Sequence, residues 1–174
     1  GNHFAFVGSL SNSFDFNLIY EIANFLIKKY PNYFFIICGT GDRSQELKLL
    51  FKNSPNVIIN GEVDQYDAAT LIATSIASLA PYSNEKNFQK SIPNKVIESL
   101  ESGVPFITKT EGELKNLIEK YQNGIFLNKF DDIIQLIEDK EYLNMLRKNA
   151  LKSYKKLFNF EMTYENIIFN LINI

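Results

Sequence analysis

The residues best suited to chemistry lie between Ser91 and Thr108, where Pro93, Lys95 and Glu98 are spaced to meet one ligand. Pro93 fits the first turn of a helix, where the N–H it lacks has no intrahelical partner and its φ is already helical. The free N–H groups of that turn point into solvent at the positive end of the helix dipole, which makes an anion site. Lys95 adds a cation there. Glu98 follows one turn on, so an anion held at the turn has a carboxylate nearby that accepts from a sugar hydroxyl. A phosphate beside a sugar hydroxyl describes a nucleotide sugar. The same residues also describe the capped helix of any α/β protein, with Pro at a first turn, a Lys–Glu pair three apart and Gly103 at the helix end.

The elements that must carry these residues are legible from apolar runs and turn residues. Phe4 to Val7 reads as a buried strand ending at Gly8-Ser9, followed by a helix from Phe16 to Tyr30 that Pro31-Asn32 stops. Further strands are expected at Tyr33–Cys38, Asn56–Asn60, Ile76–Ala80, Pro105–Lys109 and Gly124–Leu127, with helices at Ser44–Lys52, Gln65–Thr74 and Glu113–Tyr121. Tyr82 to Lys90 reads as a polar loop before the helix that Pro93 opens. From Asp131 only helices are expected, at Asp131–Glu138, Glu141–Leu157 and Phe160 to about Ile172. Short strands alternating with helices predict an α/β fold: a Rossmann-like, doubly wound parallel sheet of about six strands with helices on both faces and a helical C-terminus.

With 174 residues the chain is read as a single domain, residues 1–174, large enough to bury a core unaided. A net charge of -2 gives no basic footprint for nucleic acid, and no apolar run is long enough to span a membrane. A cytoplasmic protein is the default expectation. A single cysteine rules out an internal disulfide, and Cys38, inside an apolar strand, reads as a buried small hydrophobe. His3, the one histidine, reads as a surface or strand-edge residue, and no metal site can be assembled. Asp131-Asp132 reads as a helix cap. Arg147, Lys148, Lys152, Lys155 and Lys156 read as the solvated face of a long helix, with a peripheral contact to an anionic membrane as the second reading. The chain opens on Gly1 without an initiator Met and enters a strand at once, which predicts a piece of a longer protein.

In an open α/β sheet ligands sit outside the carboxyl ends of the strands, here at Gly8-Ser9, Gly39-Thr40-Gly41, Gly61-Glu62-Val63-Asp64 and Pro81-Tyr82. The Gly39–Gly41 pair lacks the third glycine of a dinucleotide fingerprint and follows the second strand, so NAD is disfavoured. There is no Gly-Lys-Ser/Thr for a P-loop.

The turns Phe6–Leu10, Phe35–Gly41 and Asn56–Val63, the run Ile92–Glu98 and the run Ser102–Ile107 occur in the order and spacing seen in family 4 glycosyltransferases. Essentially the whole chain resembles the C-terminal, nucleotide-sugar-binding half of these enzymes. The resemblance implies one half of a GT-B fold whose N-terminal half binds the acceptor. It also implies that Glu98 accepts from the ribose hydroxyls, that Ser91, Ile92 and Pro93 lie against the diphosphate and donor sugar, and that the backbone at Val63 meets the base. The implied contacts therefore comprise Gly8, Ser9, Gly39, Gly41, Val63, Asp64, Ser91, Ile92, Pro93, Lys95 and Glu98. Three departures stand out. Ser9 replaces the family's usual Arg, Phe14 or Asp15 its usual Lys, and Lys90 its first Glu; Lys90 and Lys95 are the candidate replacement cations.

The Pro93-Asn94-Lys95 variant of the turn is similar to that of a sub-group that makes surface polysaccharides. The leading expectation is thus transfer of a sugar from a UDP- or GDP-type donor to a saccharide or lipid-linked acceptor, without metal or other cofactor, at the inner face of a membrane or in the cytoplasm. The fragment by itself is expected to be inactive. The alternatives are a degenerate, non-catalytic module that holds a glycan or a partner protein, and a flavodoxin-like signalling domain, which would want acidic clusters at the strand ends.

Overall fold

Phe4, Ala5 and Phe6 are all buried, as the unbroken apolar run requires of a strand covered on both faces. They form β1 (His3–Val7), which lies inside a six-stranded parallel sheet with β2 (Phe34–Cys38), β3 (Val57–Asn60), β4 (Ala77–Leu79), β5 (Phe106–Thr108) and β6 (Gly124–Phe126). The strand order is β3-β2-β1-β4-β5-β6. Phe4 pairs with Phe35 on one side and Ala77 on the other. The chain runs outward from β1 to β3 and then returns to the far side of β1, so the order reverses between β1 and β4, the place where such sheets open a crevice. The structure is a computed structural model and describes residues 1–158. The helix expected from Phe160 to about Ile172 lies outside the described residues.

The helices are α1 (Phe16–Ile27), α2 (Ser44–Leu50), α3 (Gln65–Thr74), α4 (Lys86–Gln89), α5 (Asn94–Glu101), α6 (Glu113–Tyr121), α7 (Asp131–Glu138) and α8 (Lys140–Leu157). The apolar stripe of α1 buries Phe16, Leu18, Ile19, Ile22 and Leu26, each worth roughly 1.5–3 kcal/mol as a large side chain removed from water. On α5 the stripe is Val96, Ser99 and Leu100, with Ser99 Oγ accepting from Ser78 Oγ at 2.7 Å and donating to the Val104 carbonyl at 2.8 Å. Those bonds fix α5 against β4, and α5 carries the residues of interest.

Several expectations are corrected. Pro93 is the N-cap of α5, not a residue of its first turn: its φ of -69° suits a helix but its ψ of 152° is extended, and the helix begins at Asn94. The polar loop contains α4, whose four residues are too few to show a period. The amides of Lys29 and Tyr30 both bond to the Leu26 carbonyl, at 3.1 and 2.7 Å, so α1 ends at Ile27 in a tightened turn before Pro31. His3 is half-buried on an interior strand, its Nε2 3.1 Å from the Leu71 carbonyl oxygen. Arg147 is not on the solvated face: its long stem is half-buried and its guanidinium donates to the Ser75 carbonyl, just beyond the end of α3. Lys148, Lys152, Lys155 and Lys156 are exposed.

The reading of Cys38 as a buried small hydrophobe matches, and burial pushes its thiol pKa up. Asp131 and Asp132 do not cap α7: the N-cap is Phe130 without a side-chain bond, and Asp132, inside the first turn, accepts from the amides of Asn128 and Lys129 at 3.2 and 3.1 Å in the loop before the helix. Among the described residues no helix is long and apolar enough to cross a membrane.

Candidate functional site

Three turns stack at the carboxyl ends of β1, β2 and β3. The Gly8 amide donates to the Cys38 carbonyl at 2.9 Å, the Gly39 amide to the Gly61 carbonyl at 3.0 Å, and the Leu10 amide to the Thr40 carbonyl at 2.9 Å. Gly8 and Gly39 have φ values of +148° and +140°, and a Cβ on Gly39 would strike the Gly8 carbonyl oxygen. Only glycine allows both the conformation and the approach. The stacked turns bound a cleft of about 330 Å³ lined by Val7, Gly8, Ser9, Gly39, Thr40, Glu62 and Val63.

The amino end of α5 reaches the same end of the sheet through one side chain. Lys95 donates from Nζ to the Val7 carbonyl, and its ammonium lies 5.1 Å from the centre of the Phe6 ring and 5.6 Å from that of Phe14. A Cβ on Gly8 would collide with this ammonium. Burial lowers the Lys95 pKa, opposed by the negative charge of Glu98. Glu98 is exposed and, among the described residues, its carboxylate makes no hydrogen bond or ion pair. Its charge also adds to burial in pushing the Tyr82 phenol up. The amides of Asn94 and Lys95 open the helix and have no helical carbonyl to bond.

Of the residues singled out in the sequence, Gly8, Ser9, Gly39 and Val63 line the cleft. Gly41 flanks it, its amide donating to Ser44 Oγ at 3.1 Å. Asp64 caps α3, its Oδ1 accepting from the Asp67 amide at 2.8 Å. Ser91, Ile92, Pro93 and Glu98 do not line this cleft, and only Lys95 ties their segment to it. Ser91 is exposed and donates to the Asn87 carbonyl at 2.9 Å, Ile92 packs against the core, and Lys90 is the exposed C-cap of α4.

Val7 is the lining residue outside the strand-end turns read from the sequence; Thr40 and Glu62 stand within those turns and are joined across the cleft by a 2.8 Å bond from Thr40 Oγ1 to Glu62 Oε1. Their signal was present, since each sits within a glycine turn at a strand end. Arg43, which does not line the cleft, is a residue that sequence reasoning missed. Its backbone amide donates to the Leu10 carbonyl at 3.0 Å and its guanidinium to the Phe14 carbonyl at 2.9 Å, while Glu46 pairs with it. It holds the 10–14 loop in place.

Phe14, which with Asp15 is one of the two residues set by resemblance against a family cation, has a buried ring. It packs edge-on to Phe6 at 5.0 Å and against Tyr82 at 4.8 Å, and Tyr82 packs on Phe88 at 5.1 Å. Each such pair adds about 0.5–1.5 kcal/mol beyond its area. The cluster supplies rings on which the Lys95 ammonium rests, so the cation behind the β1 turn comes from α5. Among the described residues no three His, Cys, Asp or Glu side chains are grouped to hold a metal.

Sheet order, crevice and glycine turns define a Rossmann-like domain of the GT-B kind. The profile of the family described as "Glycosyl transferases group 1" matches residues 1–141, and the chain belongs to that family. The O-antigen biosynthesis glycosyltransferase WbnH of Escherichia coli is 28% identical over 159 residues, covering 85% of this chain and 42% of the relative. The chain thus spans under half the length of the curated relatives it matches. Among solved structures, a mutant of S. aureus TarM in complex with fondaparinux, alpha-GlcNAc-glycerol and UDP superposes with a TM-score of 0.79 at 17% identity, over 99% of this chain and 36% of TarM. Anabaena Alr3699/HepE in complex with UDP superposes with a TM-score of 0.78 at 16% identity, over 99% of this chain and 49% of that one. At these identities the superpositions speak to the fold.

Proposed function

We propose that the protein is the donor-binding half of a glycosyltransferase that takes a nucleoside-diphosphate sugar and passes the sugar to a saccharide or lipid-linked acceptor. The observation that carries this reading is the meeting of the β1 to β3 glycine turns with the amino end of α5 through Lys95 and Val7. Family membership and the O-antigen relative support sugar transfer and a role in surface polysaccharide synthesis.

In this reading the diphosphate lies between the backbone of Gly8 and Ser9 and the free amides of Asn94 and Lys95. As the bond from the sugar to the diphosphate breaks, negative charge grows on the leaving phosphate, and donors already aimed there lower the barrier. Lys95 turns from the Val7 carbonyl to that charge, a charged hydrogen bond worth about 1.5–3 kcal/mol. Glu98 accepts from the ribose hydroxyls and the backbone of Val63 meets the base. Lys95 and the helix amides offset part of the charge on the leaving diphosphate, and in this reading no metal and no covalent cofactor takes part. Relatives more than twice as long support an acceptor-binding domain elsewhere in the protein, which works at the cytoplasmic face of a membrane.

A non-catalytic module for a glycan or a partner protein is the competing reading, favoured by Ser9 and by Phe14 or Asp15 where the family usually has cations. The two are separated by following nucleoside diphosphate release from UDP- and GDP-sugars in the presence of a lipid-linked saccharide. Residues 1–174 alone should show none, and the same residues joined to an acceptor-binding domain should show turnover; silence in both, with folding verified, favours the module.

A further inference from the structure

We propose that Glu62 selects the base of the donor and that it selects guanine over uracil. This rests on the donor-site reading, and it goes further by naming the nucleotide. Glu62 is the one charged side chain among the residues that line the cleft. It is exposed to the cleft and its neighbour Val63 supplies the backbone where the base is proposed to sit. The Thr40 hydroxyl donates to Oε1 at 2.8 Å, which holds the carboxylate across the cleft and leaves Oε2 and the second lone pair of Oε1 open.

A carboxylate is an acceptor only, so the base that suits it is the one with donors side by side. Guanine presents a ring N–H and an exocyclic amino group on one edge, and the two carboxylate oxygens match that pair. Such charge-assisted, two-point bonds are roughly twice as strong as neutral ones. Uracil presents a single ring N–H between two carbonyl oxygens. Facing a carboxylate it makes one bond and sets both carbonyls against the negative charge. The Thr40 hydroxyl sharpens the difference, because a carboxylate fixed in orientation cannot turn away to relieve that repulsion.

The test is calorimetric titration of the protein with GDP and with UDP, repeated for Glu62→Gln and Thr40→Val after thermal melts establish that both variants are folded. GDP is expected to bind at least tenfold tighter than UDP. Glu62→Gln should lower GDP affinity at least tenfold, tighten UDP by relieving the repulsion of its carbonyls and so erase the preference, since the amide replaces one acceptor by a donor. Thr40→Val should narrow the GDP:UDP ratio by a smaller factor. Equal or tighter binding of UDP by the unmutated protein, or a ratio unmoved by Glu62→Gln, overturns the base selection and leaves the donor site intact. Binding of neither nucleotide overturns the donor site and this inference with it.

Discussion

The ammonium of Lys95, on the first turn of α5, donates to the carbonyl of Val7, the last residue of β1. One side chain thereby joins the sheet's central crevice to the helix that presents Glu98. The position directly behind Gly8 is filled by this cation, and Gly8 can hold its φ of +148° only without a Cβ.

Gly8→Ala should therefore cost stability, through backbone strain of about 1–3 kcal/mol, and nucleotide affinity, through displacement of the lysine. Urea unfolding checks the first effect. Titration with a nucleoside diphosphate checks the second, where affinity should fall with that of Lys95→Met; retained affinity in Gly8→Ala would contradict the placement.

Lys95 also predicts a pH dependence. Burial holds its pKa below the ordinary 10.5, so between that lowered value and 10.5 the unfolded chain binds more protons than the native one and stability rises with pH. Tyr82 acts oppositely: its phenol is raised above the ordinary 10.0, so the native state keeps a proton the unfolded state loses and stability falls as pH climbs past about 10. Lys95→Met should remove the rise below 10.5 and keep the fall. Denaturant midpoints from pH 8 upward measure both; an unchanged rise in the variant would mean that another group causes it.

The strands and most helices were legible because burial writes itself into sequence locally. Phe4 to Val7 and Phe34 to Cys38 are apolar on both faces, and α3, α6 and α7 begin and end where their patterns do. What stayed hidden depends on neighbours far along the chain. The destination of the Lys95 amine is set by Val7, Phe6 and Phe14, residues that only the β1–α5 packing brings near. Arg147 looked like one more cation on a basic face because a helical pattern cannot show where a long stem leads. Thr40 and Glu62 each appeared in a turn, but their pairing across the cleft requires the parallel register of β2 and β3.

Arg147 accordingly matters to stability in a way that Lys148 does not. Arg147→Met removes a charged donor from the Ser75 carbonyl and should cost about 1.5–3 kcal/mol, whereas Lys148→Ala should stay within about 0.5 kcal/mol. For a chain of this size each kcal/mol moves the melting temperature by about 2–4 °C, so a thermal melt resolves the two. Equal melting temperatures would show that the Ser75 contact contributes nothing.

Glu98→Ala should weaken nucleotide-sugar binding by about 1.5–3 kcal/mol, the worth of an ionised acceptor for a hydroxyl. Lys90→Ala should cost about 0–1 kcal/mol, as an exposed cation at the end of α4 is screened by solvent. Calorimetry on the two variants ranks them; the reverse order would make Lys90 the replacement for the absent family cations.

The donor site itself is tested most directly by mapping backbone amide shifts of the isotope-labelled protein as a nucleoside diphosphate is titrated to saturation. The account predicts saturable shifts at Gly8, Ser9, Gly39, Thr40, Glu62 and Val63 together with Asn94 and Lys95, and little change around Arg147 or on α7. Shifts confined to other surfaces, or none at saturating nucleotide, would contradict it.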